Sequence, residues 1–292
     1  MNALGVTTID AHQHAWEPER VAYPWLGARF APIDRAMTFD ELEPQLVECG
    51  IDRTVMVQSA DSPEDSAYMI AVADGNPKVA GVVAWIPLAE PDLTGPAVAA
   101  LRRHEKFVGM RHLIQEEPDD WLLRDDVNEG LGVLEDLDVP MDVVAFSTRH
   151  IDNVIDVGGH HPRLRMVIDH LAKPPFDRGG WREWQRRLAA AAENPNVYAK
   201  ISGLYPVGLV DRRADAENQL ARAVDFAVDT FGPQRLMYGG DWPISVLFGG
   251  YLPIWLSVSR VLSRYDAHAR ADILGRTATQ FYRLPPERLA RE

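Results

Sequence analysis

The sequence is poor in cysteine and in lysine, and both shortages are informative. Cys49 is the only cysteine among 292 residues, so no internal disulfide can form and the reducing cytoplasm is the expected compartment. The N-terminal residues carry no basic segment leading into a long apolar stretch, so no secretory signal is expected. No run approaches roughly 18 apolar residues, which excludes a spanning helix. Positive charge is also scarce: 43 acidic against 30 basic residues give a formal charge of −13. Such a surface repels nucleic acid and anionic membrane rather than attracting them. The locally basic stretches 20–35 and 102–106 are not blocks of like charge and read as solvated faces. No repeat, low-complexity segment or Gly/Ser linker divides the chain, so residues 1–292 are expected to form one domain. The outer faces of its helices reveal no oligomeric state.

What is present is an alternation. Eight short, largely apolar runs recur: residues 6–12, 53–59, 79–85, 107–113, 139–146, 164–171, 197–204 and 235–242. Between them, 62–74, 95–104, 128–137, 181–194 and 214–231 have helical periodicity. Thr38 with Glu41 has the spacing of a capping box. Apolar strands separated by helices imply a parallel sheet covered on its faces, and eight such units imply closure into a (β/α)₈ barrel. An open doubly wound sheet is the alternative, but no G-x-G-x-x-G follows the first run.

In such a barrel the C-terminal strand ends carry the chemistry, so ionisable residues there are the candidates. The first run ends Asp10-Ala11-His12-Gln13-His14. Residues i and i+2 of an extended chain point the same way, placing two imidazoles at the barrel mouth, within reach of one metal or substrate oxygen. The sixth run ends Asp169-His170, and the eighth leaves Asp241 just before Trp242 and Pro243. A carboxylate there can bind a metal, deprotonate water, or do both; the blander alternatives are a helix cap for Asp241 and a satisfied core histidine for His170.

Lysine returns at this point. Against 26 arginines there are four lysines, Lys78, Lys106, Lys173 and Lys200. Two of them follow the sixth run or lie in the seventh, where a compact point charge does what a guanidinium cannot. Lys200 is the stronger candidate, since Lys173 can equally cap a loop. Arg111 and His112 end the fourth run, where an arginine suits an oxygen-rich substrate or an acidic neighbour. Asp142 lies inside the fifth run and can orient a histidine from behind. Gln58, at the end of the second, can donate to substrate or to loop backbone. The loop with Trp16, Tyr23 and Trp25 can cover a ring-shaped ligand or close the barrel top.

The segments IDAHQHAW, YPWL, GMRHL, VIDHLAKP, YAKISGL, RLMYGGDWP and ILGRTATQFYRL resemble the amidohydrolase-2 branch of the amidohydrolase superfamily. Within it they are most similar to the group of sugar-lactone and muconolactone hydrolases, the L-fuconolactonase and L-rhamnonolactonase type. The resemblance runs over nearly the whole chain and implies a distorted (β/α)₈ barrel that hydrolyses a lactone. It further implies a site of His12, His14, His170 and Asp241, either holding one divalent metal, Zn²⁺ being the expected ion, or working without a metal. Many metal-dependent relatives carry a metal-ligating His on strand five, and those with two metals also need a bridging Lys or Glu on strand four. Here those strands offer Asp142 and Arg111-His112, which argues against two metals. In the mechanism so implied, Asp241 activates water, the histidines polarise the carbonyl, and Arg111, His112, Lys200, Gln58, Trp25 and Trp242 contact substrate. The competing chemistry is a metal-dependent, non-oxidative decarboxylation, found elsewhere in the same branch.

Overall fold

The computed structural model describes residues 5–176, 179–211 and 213–290. Eight strands lie in one parallel sheet in sequence order: β1 (Ile9–Gln13), β2 (Arg53–Val57), β3 (Val79–Ala84), β4 (Phe107–His112), β5 (Met141–Val143), β6 (Met166–Ile168), β7 (Val197–Ile201) and β8 (Leu236–Tyr238). The sheet curls until its ends meet: Asp241 N donates to His12 O at 2.8 Å and His14 N to Trp242 O at 2.7 Å, a parallel bridge of Gln13 with Trp242. The fold is therefore the expected (β/α)₈ barrel. Strands β5, β6 and β8 have only three residues each, so the longer runs expected there continue as loop at the mouth.

One helix follows each strand: α1 (Phe39–Glu48), α2 (Pro63–Asp74), α3 (Pro91–Leu101), α4 (Asp125–Asp136), α5 (Thr148–His160), α6 (Trp181–Ala192), α7 (Ala214–Phe231) and α8 (Tyr251–Leu262). Helices α5 and α8 go beyond the periodic segments identified in the sequence. Thr38 does precede α1, but its side chain caps nothing. Glu41 pairs instead with Arg35 at 2.7 Å, so the capping box does not form. No helix among the described residues is long and apolar enough to cross a membrane.

The long β1–α1 loop is seated by one buried carboxylate. Asp65 accepts from Ser59 N (2.7 Å), Ala60 N (3.1 Å) and Tyr23 Oη (3.0 Å). Ser59 O in turn accepts from Trp25 Nε1 at 2.7 Å, which turns the Trp25 ring over the barrel mouth. Burial pushes the Asp65 carboxyl up to about 6 from its ordinary value of 3.8, against the pull of those donors. Between these values the native state binds more protons than the unfolded chain, so the Asp65 contribution to stability falls as pH rises. The expected loss across about pH 4 to 6 is about 3 kcal/mol. Urea unfolding across that range should lose part of its downward slope in Asp65→Asn; identical slopes in the two proteins would contradict the assignment.

Candidate active site

The closing seam of the barrel builds the site. Asp10, fully buried on β1, accepts from His12 N (3.0 Å), Gly240 N (2.9 Å), Tyr251 Oη (2.6 Å) and Gln13 Nε2. It thereby ties the end of β1 to the loop leaving β8. His12 and His14 do point the same way, their rings edge to face with centroids 4.9 Å apart, and the His170 ring lies 4.7 Å from that of His12. Asp241, in the left-handed region at φ 54°, turns its carboxylate back over them. Its Oδ1 lies 3.6 Å from His14 Nε2 and 3.8 Å from His12 Nε2. Its Oδ2 accepts from Tyr205 Oη at 3.0 Å. The three imidazoles and the carboxylate thus converge, as the sequence implied.

Beneath them lies a charged layer that only Arg111 connects to the cavity. Asp169 Oδ1 stands 3.2 Å from His12 Nδ1 and 3.2 Å from Lys200 Nζ, while its Oδ2 accepts from Arg111 Nη1 at 3.1 Å. Lys200 also pairs with Asp142, whose carboxylate accepts from Tyr282 Oη at 2.9 Å. Burial alone would neutralise Asp169, but Lys200, His12 and Arg111 outweigh it and hold its carboxyl well below the usual range. Asp142 therefore acts on His12 at one remove, through Lys200, whose Nζ is 3.1 Å from His12 Nδ1.

Above this layer opens a cavity of about 370 Å³, walled by His14, Arg111, His170, Asp241, Lys173 and Tyr205 and by Trp25, Phe30, Phe146 and Phe248. A smaller cavity of about 280 Å³ lies at the opposite end of the barrel, where strands begin and catalytic groups are not expected. Of the six substrate contacts expected from sequence, Arg111 and Trp25 line the larger cavity. The other four do not line it. His112 follows Arg111 on the same strand and so faces the other way; it stacks on Trp121 at 4.1 Å and contacts Glu117 at 3.1 Å. Lys200 sits too deep, fully buried in the charged layer. Gln58 is occupied by Asp61 and Arg111, and buried Trp242 serves the seam through its backbone. Sequence reasoning gave no place to Tyr205 or Phe146, and it ranked Lys173 behind Lys200. All three lie on loops past strand ends, where no periodicity singles out a residue.

Electrostatics set the protonation states. Burial first, and then the charge of Lys173, pushes His170 down to about 3. Burial likewise lowers His14 and His12. Burial works against ionisation of Asp241, yet the surrounding imidazoles and Lys173 prevail and hold it far below the ordinary carboxylate range. The resting site is thus neutral imidazoles around a carboxylate anion.

That state makes a test of metal binding possible. His14 Nδ1 lies 2.8 Å from Val57 O, and a carbonyl only accepts, so Nδ1 carries the proton and Nε2 a lone pair. This lone pair faces the Asp241 anion at 3.6 Å. Two acceptors so placed call for a cation between them. Donor atoms of His12, His14 and Asp241 all lie within 4.8 Å of one another, and two imidazoles with a carboxylate are a suitable donor set for a divalent ion. The residues fit. A second grouping, His12, Asp169 and His170, fits less well because Lys200 and Arg111 already neutralise Asp169.

Comparison with known proteins bears on the family and the fold. A sequence model of the amidohydrolase family matches residues 9–284. An L-fucono-1,5-lactonase of Burkholderia ambifaria is 35% identical over 285 residues, 94% of this chain and 95% of the relative. A zinc-bound crystal structure of an amidohydrolase from Burkholderia multivorans superposes with TM-score 0.86 at 31% identity, covering 95% and 99% of the two chains. A 2,6-dihydroxybenzoate decarboxylase from Rhizobium has TM-score 0.63 at 15% identity, covering 96% and 99%, and shares the fold alone.

The charged layer predicts a stability effect where sequence reasoning expected a binding one. Lys200→Met leaves Asp142 and Asp169 buried with one cation fewer, which should cost about 3–5 kcal/mol. Adding Asp142→Asn should recover part of that. Chemical denaturation of the two variants checks this, and a loss confined to KM with stability unchanged would contradict the buried role.

Proposed function

This chain belongs to the amidohydrolase family, and from that membership we propose that it opens the ring of a lactone, with Asp241 as the base that activates water. The observation that carries this reading is the approach of Asp241 Oδ1 to the Nε2 atoms of His12 and His14, with His14 and Asp241 in the wall of one cavity. The lactonase relative supports the reaction class and makes a sugar lactone the substrate class. Its single cysteine, buried and unpaired, suits the cytoplasm.

His12, His14 and Asp241 would hold a divalent ion, Zn²⁺ being the expected one. Bound there, it would act as a Lewis acid toward the substrate carbonyl. The chain's own residues take the remaining tasks. Tyr205 Oη holds Oδ2 of Asp241 and leaves Oδ1 to take a proton from water as the water oxygen bonds the carbonyl carbon. The C=O π pair then moves onto the carbonyl oxygen. When it returns, the ring C–O bond breaks and Asp241 gives its proton to the departing alkoxide, so a hydroxy acid leaves. His170 and Arg111 line the cavity beside this path, and Trp25 and Phe30 present faces to a ring-shaped substrate.

A carboxylate held so firmly ionised is a weak base at rest. As negative charge grows on the carbonyl oxygen it offsets the Lys173 charge that helps depress Asp241, and basicity rises as the new bond forms. The competing reading, decarboxylation, needs a guanidinium free to grip a carboxylate. Arg111 already has each of its three nitrogens bonded, to Asp169, Gln58 Oε1 and Gln58 O, and the other arginine lining the cavity, Arg29, is exposed and donates to Trp25 O.

Asp241→Asn should lower kcat on the best lactone of a sugar-lactone panel by about 10²–10⁴-fold, with the circular dichroism spectrum unchanged. Turnover is read as acid release, alongside CO₂ release as the signature of decarboxylation. Near wild-type acid release by the variant, or CO₂ from the wild type, would overturn the assignment.

A further inference from the structure

Three cationic side chains line the active cavity, Arg29, Arg111 and Lys173. Arg29 is exposed, lies over the Phe30 ring at 4.7 Å and donates to Trp25 O. Arg111 has each of its three nitrogens bonded to Asp169 or Gln58. Lys173 differs from both. Its Nζ lies 5.1 Å from the centre of the Phe146 ring and 5.7 Å from that of Tyr205. Among the described residues its one hydrogen bond to protein is to Gly203 O, at 3.3 Å. Among the described residues it forms no ion pair. An ammonium has three donors, so two remain for something in the cavity.

The backbone holds this side chain in place at a cost. His170, Leu171, Ala172 and Lys173 have φ of 57°, 50°, 54° and 52°, four successive non-glycine residues in the left-handed region. Such residues carry strain of order 1 kcal/mol or more each and persist only where the surroundings enforce them. Trp184 Nε1 enforces this run by donating to Leu171 O at 2.8 Å, and Lys173 N closes it on His170 O at 2.9 Å. The result sets the Lys173 ammonium and the His170 imidazole in the wall of one cavity with Asp241. The flanking rings replace water around the ammonium, which strengthens any bond it makes to an anion.

We propose that Lys173 is the oxyanion donor: its ammonium hydrogen-bonds the carbonyl oxygen of the bound lactone and stabilises the negative charge there as water adds. This rests on the lactone-hydrolase reading above. No proton leaves the lysine. The C=O π pair moves onto oxygen against the ammonium as the water oxygen–carbon bond forms, and returns as the ring C–O bond breaks. The donor becomes more valuable as charge develops, so it favours the transition state over the ground state.

The test uses the intact protein. Lys173→Met keeps the length and apolar stem of the side chain and removes the charge. Loss of one oxyanion donor predicts a fall in kcat of about 10²–10³-fold, with KM changed much less. Primary amines of about propylamine size should restore turnover to Lys173→Ala in proportion to their concentration as ammonium. Lys173→Gln, which retains a neutral donor, carries the same test if Met is not accommodated, and is expected between wild type and Ala. A folded variant within about threefold of wild type overturns the proposal. So does a loss expressed in KM alone, or an Ala variant that no amine restores. Failure of the underlying reading looks different: the wild type itself would then release no acid from any lactone of the panel.

Discussion

The site depends on the closure of the barrel, and closure depends on one buried carboxylate. Asp10 gathers backbone donors from β1 and from the β8 loop, together with the Tyr251 hydroxyl at the start of α8. Burial pushes it up to about 7 against these donors, so its surroundings are only just polar enough for a charge. The chains it joins must come very close. A Cβ on Gly239 would lie 2.5 Å from His12 Cβ, and one on Gly240 2.1 Å from the Tyr251 ring. Two glycines in YGGDWP are thus the condition for His12 and Asp241 to face each other across the seam. Their separation is a property of strand registration, more rigid than a loop-borne pair would be.

From that seam the charges are layered. At the bottom, Asp142 and Asp169 balance Lys200 and Arg111, of which only Arg111 reaches the cavity wall. In the middle stand imidazoles kept neutral by burial. At the top, Asp241 is an anion and Lys173 a cation, both open to the cavity. A buried ion pair stabilises poorly in comparison with apolar packing, so the lower layer is poorly explained as a device for stability. What it does provide is orientation: Asp169 and Lys200 contact His12 Nδ1 and fix the ring whose Nε2 faces Asp241.

Much of this was legible in the sequence, for particular reasons. A parallel strand is apolar because both faces are covered, so His12, His170 and Asp241 stood out against apolar runs, while Asp10 and Asp169 beside them were given no role. The two-residue period carried His12 and His14 to one side. The same period separates Arg111 from His112, and here the sequence expectation failed by admitting both to the mouth. Lys200 misled for a related reason: a polar residue near a strand end marks the barrel axis, but depth along the axis is set by shear between strands, which one sequence does not reveal. Helix α5 escaped notice because its periodicity is broken by Gly158 and Gly159, although Ser147 caps it by accepting from His150 N. Helix α8 carries Pro253 in its first turn, which reads locally as a break. Tyr205 and Phe146 lie in irregular backbone, where position is decided by contacts between loops distant in sequence.

The left-handed run after β6 joins these threads. Gly203, itself at φ 55°, approaches His170 so closely that a Cβ there would lie 2.5 Å from Nδ1 and 2.7 Å from Asp241 Oδ2. The β7 loop can therefore bring Ser202 Oγ to His170 at 2.9 Å and Tyr205 to Asp241 only because residue 203 has no side chain. The β6 loop must then turn away within a few residues, and a left-handed turn of His170 to Lys173 does so in the space available. The strain there is the consequence of three loops converging on one carboxylate. A relaxed backbone at these positions would carry either His170 or Lys173 out of the cavity wall, and the same closure that places the base would leave it without its neighbours.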